Sequence, residues 1–353
     1  MILGEQVEVL TSRLRRLVGH VRHLNWYLDK PSEIPLCSDL DQCLPLPDLT
    51  GVKILWPNRN SWTYGSFCLG MVKDALAHIV PVAVQNVSER DRKWHERGGF
   101  PVPDDKTSIL GTPRNPRLPN DIRGDIFEVQ RGSRFIRCAY DYSDYPVVST
   151  EIAAQVDLYF KCVAPSTALP ANVIRVGYFP SRPRLLARAR RMVLRGPVVK
   201  NIDVYARFGT WTDSQETRER LVARMQKSSL SFQGGLGTVV FPAYLNELMR
   251  ARIALDAPGQ APITHRLPEA TALGAVIVSP PPECAFPEGL EDGVQYVATK
   301  EDGSDVVEVC REVLKDQERM TRIASNGMKF FDRNFSPQSI ARRILRHAVQ
   351  LTN

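Results

Sequence analysis

Apolar residues recur three and four apart near the start of the chain. They are Val7, Leu10, Leu14, Leu17, Val21 and Leu24, with Arg13, Arg15, Arg16 and Arg22 between them. That spacing predicts an amphipathic helix over 5–28 with a basic face. Such a face suits packing on the body, contact with a partner chain, or peripheral contact with an anionic membrane surface. The Pro-rich run 31–48 (PSEIPLCSDLDQCLPLPD) breaks the pattern and predicts a linker or wrapped loop. From residue 51 the rhythm changes. GVKILWP is a short apolar run ending at Pro57, as in a buried strand, and FCLGMVKDALAHI follows as a helix. IVPVAVQNV, DIFEVQ, FIRCAYD, QVDLYFKCV and VIRVGYFP read as further strands. Residues 96–120, rich in Gly, Pro, Asp and Asn, predict a long surface loop.

The basic segment RPRLLARARRMVLRGP (182–197) ends in Gly-Pro and marks a boundary. Beyond it strands and helices alternate: NIDVYARFG, the helix TDSQETRERLVARMQKS, LSFQGG, the helix PAYLNELMRA, the strand RIALDAPG, the helix RLPEATALG and the strand AVIVS. Short links between alternating elements imply a parallel sheet covered on both faces. Two more helices and a final one follow, the last with Ser336 as N-cap and Pro337 at N1. At 353 residues the chain exceeds what a single core supports, so two domains are expected.

Composition narrows the classes. No stretch approaches the roughly 18 unbroken apolar residues of a membrane-spanning helix. The start, MILGEQVEVLTSRLRR, lacks the basic-then-apolar order of a secretory signal. Cys37, Cys43, Cys68, Cys138, Cys162, Cys284 and Cys310 form no C-x-x-C pair, which argues for reduced thiols and against a zinc site. The expectation is a cytoplasmic protein, with peripheral contact to a membrane surface through its first helix as the alternative. A net charge of +7 is too small and too spread to point to nucleic acid.

An open parallel sheet binds ligands beyond the carboxyl ends of its strands. Three loops of the second half qualify. Arg207-Phe208-Gly209-Thr210 combines a cation, a glycine that admits a close ligand and a hydroxyl, a set suited to diphosphate; a turn with a surface Arg is the plainer alternative. Gly234-Gly235-Leu236-Gly237 lacks both the G-x-G-x-x-G spacing and the Walker Lys-Ser/Thr. The third runs from Gly259 to Ala270, where Thr264, His265, Arg266 and Glu269 open a helix. There Glu269 suits the two hydroxyls of a ribose and Arg266 a phosphate. An Arg–Glu pair at i, i+3 is the alternative.

Over Tyr244–Leu345 these residues resemble the C-terminal domain of GT-B glycosyltransferases of the group-1 and exostosin-like kind. YLNELMRARIALDAPG resembles its helix-strand-loop, and THRLPEATALGAVIVSPPPECAFPEGLEDGVQYV its "R-x-x-E-A" core and following Asp-Gly. EVLKDQERMTRIASNGMKFF resembles the family's next helix, and DVYARFGTW its first strand and phosphate loop.

The resemblance implies an α/β fold of two Rossmann-like domains with an N-terminal helical extension. The first helix and linker would be 1–50, an acceptor-side domain 51–195, a nucleotide-sugar domain 196–335, and 336–353 a final helix crossing back. It implies a nucleotide-diphosphate sugar as co-substrate, with no cofactor and no required metal ion. The acceptor would be a glycan, a lipid-linked molecule or another group. Glu269 would hold the donor ribose, Arg266 and Arg207 the diphosphate, and Thr264 and His265 the sugar or phosphate pocket, with Gly209, Thr210 and Gly259 close to the donor. Retaining members often carry a second Glu eight residues before the E-A pair; Ala261 stands there, which makes a retaining mechanism less secure.

An inverting transfer needs a base for the acceptor hydroxyl. Asp141 and Asp144 in CAYDYSDYP follow an apolar strand, and two carboxylates three apart could raise one another's pKa. The alternative is a turn at Asp141 and a cap at Asp144. Asn58, Tyr64 and Gly65, in the NRNSWTYGS loop, are candidate acceptor-side residues, and Trp62 could stack on a sugar. Two other functions compete: a catalytically inactive binding protein on the same scaffold, and a nucleic-acid-binding or -modifying protein using Arg182, Arg184, Arg188, Arg190, Arg191 and Arg195. Such an arginine run is more often a solvated helix face.

Overall fold

The computed structural model describes residues 33–58, 64–87, 121–209, 214–259 and 261–352, with 18, 25, 26, 89, 91, 92, 100, 101 and 109–111. Most of the predicted N-terminal helix, Trp62, Thr210 and Asp213 lie outside these described residues. The strands are β1 (Val52–Pro57), β2 (Val82–Gln85), β3 (Phe100–Pro101), β4 (Ile109–Leu110), β5 (Asp121–Ile122), β6 (Gly124–Arg131), β7 (Arg134–Asp141), β8 (Val148–Ser149), β9 (Leu158–Lys161) and β10 (Val173–Arg175). The second half contributes β11 (Ile202–Phe208), β12 (Phe232–Leu236), β13 (Ala251–Leu255), β14 (Val276–Ser279) and β15 (Tyr296–Ala298). The helices are α1 (Leu40–Cys43), α2 (Tyr64–Ala77), α3 (Thr150–Ala153), α4 (Pro183–Arg195) and α5 (Gln215–Gln226). They continue with α6 (Phe241–Met249), α7 (Arg266–Ala272), α8 (Val306–Lys315), α9 (Gln317–Phe330) and α10 (Pro337–Thr352), a π-helical turn at Phe331–Phe335 joining the last two.

The second sheet is parallel throughout, in the order β12-β11-β13-β14-β15. Parallel strands buried on both faces need apolar side chains on both. In β11, Val204, Ala206 and Phe208 enter one cluster and Tyr205 another. The chain reverses its direction of sheet growth between β11 and β13, so the crevice beyond their carboxyl ends is the switch point where ligands enter such sheets. The glycines expected as a loop after a strand lie inside it: Gly234 and Gly235 belong to β12. Gly234 has φ +130, and a Cβ there would stand 1.7 Å from the Ala206 carbonyl oxygen.

The first sheet, in the order β10-β9-β7-β6-β1-β2, is mixed. Its flanks are parallel, but β6 runs antiparallel to both β1 and β7. The cause is local. Arg131 pairs with Arg134, leaving a two-residue turn with Gly132 at φ +60, and a loop that short joins only antiparallel strands. The stretch expected as a long surface loop holds β3 and β4, and Phe100 from it is fully buried against Ile126 and Tyr159.

One apolar cluster runs through both halves, from Trp56, Leu76 and Phe160 to Leu245, Ile277 and Ile344. The last helix helps to join them: α10 packs on α2, β6, β7 and β9. Its start is capped as its sequence predicts, the Ser339 N–H donating to Ser336 Oγ at 3.0 Å. The arginine run is only partly a solvated face: Arg182, Arg184 and Arg195 are exposed, but Arg190 is not. On α4, Arg190 is fully buried, Arg188 lies 5.4 Å over the Trp26 ring, Arg184 pairs with Asp74, and Arg182 just before the helix lies 5.6 Å over Phe241.

The connector from β10 to α4 crosses the π-helical turn so closely that Gly177 admits no side chain. A Cβ there would lie 1.2 Å from the Asn334 carbonyl oxygen. Gly177→Ala is therefore expected to push the two backbones apart. The cost is about 1–3 kcal/mol, the range for overpacked interiors, read as a lower urea midpoint at unchanged slope.

Candidate functional site

A cavity of about 510 Å³ opens at the carboxyl ends of β11 and β13, between them and the first half of the chain. Its lining includes Arg207, Gly209, Gly259, Thr264, His265, Arg266 and Glu269 from the second half, and Asp144 from the first. Eight of the residues singled out in the sequence thus meet in one place. Asp141 and Asn58 are not among its described lining, and the side chains at 64 and 65 lie outside the described ones.

Arginines dominate one end. Arg207, near the end of β11, is gripped by Glu247 of α6 through Nε at 2.7 Å and Nη2 at 2.9 Å. Burial pushes the Glu247 carboxyl up, but the bond and charge of Arg207, with the Tyr205 hydroxyl, win and hold it below the usual range. This is no surface turn. Arg266 opens α7 and is almost buried. It pairs with Asp256 at 3.1 Å and donates to the Arg207 carbonyl, rather than to Glu269 three residues on. Asp256 also accepts from Thr264 Oγ1 at 2.6 Å, so the residue following β13 orders the start of α7. Arg218, from α5, donates to the Gly209 carbonyl at 3.0 Å. Its guanidinium and that of Arg266 lie 5.6 and 4.7 Å from the same Phe208 ring. Burial, and then the charge of Arg266, hold the Arg218 pKa below its ordinary value. Like charges held together with little water favour an anion between them.

Glu269 lines the cavity and is itself buried. Oε1 accepts from the Ser181 N–H at 3.0 Å and the Ser181 hydroxyl at 2.6 Å, and Oε2 from the Tyr244 hydroxyl at 2.7 Å. Burial, followed by the Glu269 charge, pushes the Tyr244 phenol well up, so it serves as a neutral donor. A carboxylate accepts about four hydrogen bonds, and three are made. One more fits, but a pair of ribose hydroxyls would have to displace a present donor, so Glu269 holds both through this carboxylate only after rearrangement.

The two aspartates part company. Asp141 is fully buried and ion-paired with Lys161 at 2.9 Å. It also accepts from Ser143 N and Oγ and from the Tyr159 hydroxyl, and so forms the turn that was its alternative reading. With its lone pairs taken and no access to the cavity, it is no candidate base. Asp144 lines the cavity and accepts from Tyr178 at 2.8 Å. Asn58 is exposed at the end of β1, its N–H donating to the Gln85 carbonyl at 2.7 Å, and Tyr64 and Gly65 begin α2. Sequence reasoning passed over Tyr178, Ser181, Tyr244, Glu247 and Asp256. The first two lie in VGYFPSRP, whose apolar run reads as a strand but forms the connector.

Residues 190–346 match the model of a family described as glycosyl transferase-like. This part of the chain is glycosyltransferase-like, as its motifs suggest. No curated sequence matches the chain. Among solved structures, Anabaena Alr3699/HepE in complex with UDP-glucose is 13% identical, with a TM-score of 0.35, over 56% of this chain and 64% of that one. A glycosyltransferase from Rickettsia africae ESF-5 is 8% identical, with a TM-score of 0.39, over 58% and 68%. The C-terminal domain of the group 1 glycosyl transferase LpcC from Francisella tularensis is 11% identical, with a TM-score of 0.29, over 41% and 90%. This chain thus spans just under two thirds of the length of HepE. Among the described residues, no helix is long and apolar enough to cross a membrane.

Proposed function

We propose that the chain transfers a sugar from a nucleoside-diphosphate donor to an acceptor hydroxyl. One observation carries this reading: Arg207, Arg218 and Arg266 converge at the switch point of the parallel sheet, within the glycosyltransferase-like span, with Asp144 across the same cavity. The donor diphosphate lies among the arginines, close to Gly209 and Gly259, where glycine lets a phosphate approach the backbone. Thr264 and His265 flank it. Glu269 and Tyr244 meet the nucleoside or sugar hydroxyls.

Asp144 removes the acceptor proton as its oxygen attacks the anomeric carbon. The bond from that carbon to the diphosphate oxygen breaks, and the guanidiniums stabilise the charge that develops. Three cations supply the role a divalent ion would otherwise have, so turnover is expected to survive EDTA.

Asp144→Asn is the direct test. With a donor that binds, transfer or donor hydrolysis should fall by about 10²–10⁴, the usual contribution of a positioned base, at unchanged nucleotide affinity. Unchanged turnover would remove Asp144 from the mechanism. Wild-type protein that binds a donor but never turns it over would favour a binding protein on this scaffold.

A further inference from the structure

Asp144, Tyr178 and His265 come from three separate parts of the fold: the turn after β7, the connector between the halves, and the residue preceding α7. The Tyr178 hydroxyl donates to Asp144 Oδ1 at 2.8 Å and lies 3.5 Å from His265 Nε2. Its ring stacks on the imidazole, centroids 5.0 Å apart at 18°. On the far side, His265 Nδ1 lies 3.0 Å from the Phe179 carbonyl oxygen. A carbonyl only accepts, so Nδ1 carries the hydrogen, and when the ring is neutral it is Nε2 that presents a lone pair to the tyrosine oxygen. A phenol has one proton and two acceptors compete for this one.

We propose that Tyr178 is a proton relay between Asp144 and His265. The assignment rests on the transfer reaction above and extends it. When Asp144 has taken the acceptor proton, Tyr178 passes its own proton to Nε2 and takes the one on Asp144 in exchange. Carboxylate and phenol are restored, and an imidazolium remains beside Arg266. That proton then leaves on the released diphosphate, so no net charge accumulates. Tyr178 acts through its neighbours and is a positioning residue. The other charged groups that line the cavity with this histidine include Arg123 from the first half, Arg207 and Arg218 across it, and Arg266 and Glu269 from its own helix.

The test is nitrogen-15 NMR of the imidazoles in the full-length protein, the His265 signals being assigned by their loss in His265→Asn. Wild type should show the Nδ1–H tautomer. Asp144→Asn should move the His265 titration to lower pH by about half a unit or more, the scale of coupling between contacting residues. In Tyr178→Phe, which keeps the stacked ring, the same substitution should move it less than half as far. An Nε2–H tautomer in wild type, or equal displacements in both backgrounds, would overturn the relay. The readout needs no donor, so it stands or falls separately from nucleotide binding. Once a donor is known, Tyr178→Phe should lower kcat tenfold or more and leave donor KM unchanged.

Discussion

Arg190→Ala is expected to destabilise the fold by about 3–5 kcal/mol, the range for breaking a buried ion pair from one side. Both side chains of the Arg190–Asp332 pair are inaccessible to solvent. Arg190 Nε donates to the Pro35 carbonyl and Nη1 to the Ala272 carbonyl, each at 2.6 Å, and the guanidinium lies 4.8 Å over Phe331. Asp332 in turn accepts from the Cys37 and Ser38 N–H groups at 2.8 Å each. One side chain on α4 thus fastens the Pro-rich strap, the end of α7 and the π-helical turn together. Alanine strands a buried carboxylate, the buried Ala272 carbonyl and the half-buried Pro35 carbonyl. Arg190→Ala with Asp332→Ala should be less destabilising than the sum of the single changes, because neither charge then lacks its partner. Loosening has a local reporter. Burial and the hydrogen bond to Asp332 push the Cys37 thiol up to about 11, so at neutral pH it is protonated and slow to alkylate. Arg190 itself holds that pKa down in part, so with the strap in place Arg190→Ala should slow alkylation further, and acceleration before global unfolding reports opening of the strap.

The second large effect concerns binding. Arg266→Ala should weaken nucleoside-diphosphate affinity about a hundredfold or more, since truncating one partner of a buried charge pair at a binding site costs 2–5 kcal/mol. The change removes a guanidinium facing the ligand and also releases Asp256, whose bond to Thr264 shapes the start of α7. Arg266→Lys is not expected to restore the site. A lysine cannot reach both Asp256 and the Arg207 carbonyl from one planar group. Arg207→Ala separates the two effects, because the Arg207–Glu247 pair keeps some access to water and its loss should disturb folding less. Calorimetric titration of the three variants, each checked for a cooperative urea transition, gives the comparison.

The parallel sheet and its loops were legible because their signals are local. An apolar run such as NIDVYARFG, followed by Gly and polar residues, announces a strand and a site at its carboxyl end. The order of motifs from Tyr244 to Leu345 carried the resemblance further. Much less of the first half could be read. Its antiparallel hairpin hinged on a two-residue turn, and the span 96–120 concealed Phe100 among loop-forming residues. The aspartates show the sharper limit. Asp141 and Asp144 are alike in sequence, but Lys161 and Tyr159, some twenty residues on, neutralise one and leave the other in the cavity. Long-range partners also explain Arg190, which composition places on a solvated face and packing buries. No spacing rule links Arg190 to Asp332, or Ser181 to Glu269.

The most direct measurement is titration of the wild-type protein with uridine, guanosine, adenosine, cytidine and thymidine diphosphates in EDTA, followed calorimetrically and by thermal unfolding. One or more should bind without metal, and at a hundred times the dissociation constant should stabilise the fold by about 2.7 kcal/mol. That stabilisation should be lost in Arg266→Ala. A folded wild-type protein that binds none of the five would contradict the assignment of the arginine-lined cavity as a donor site.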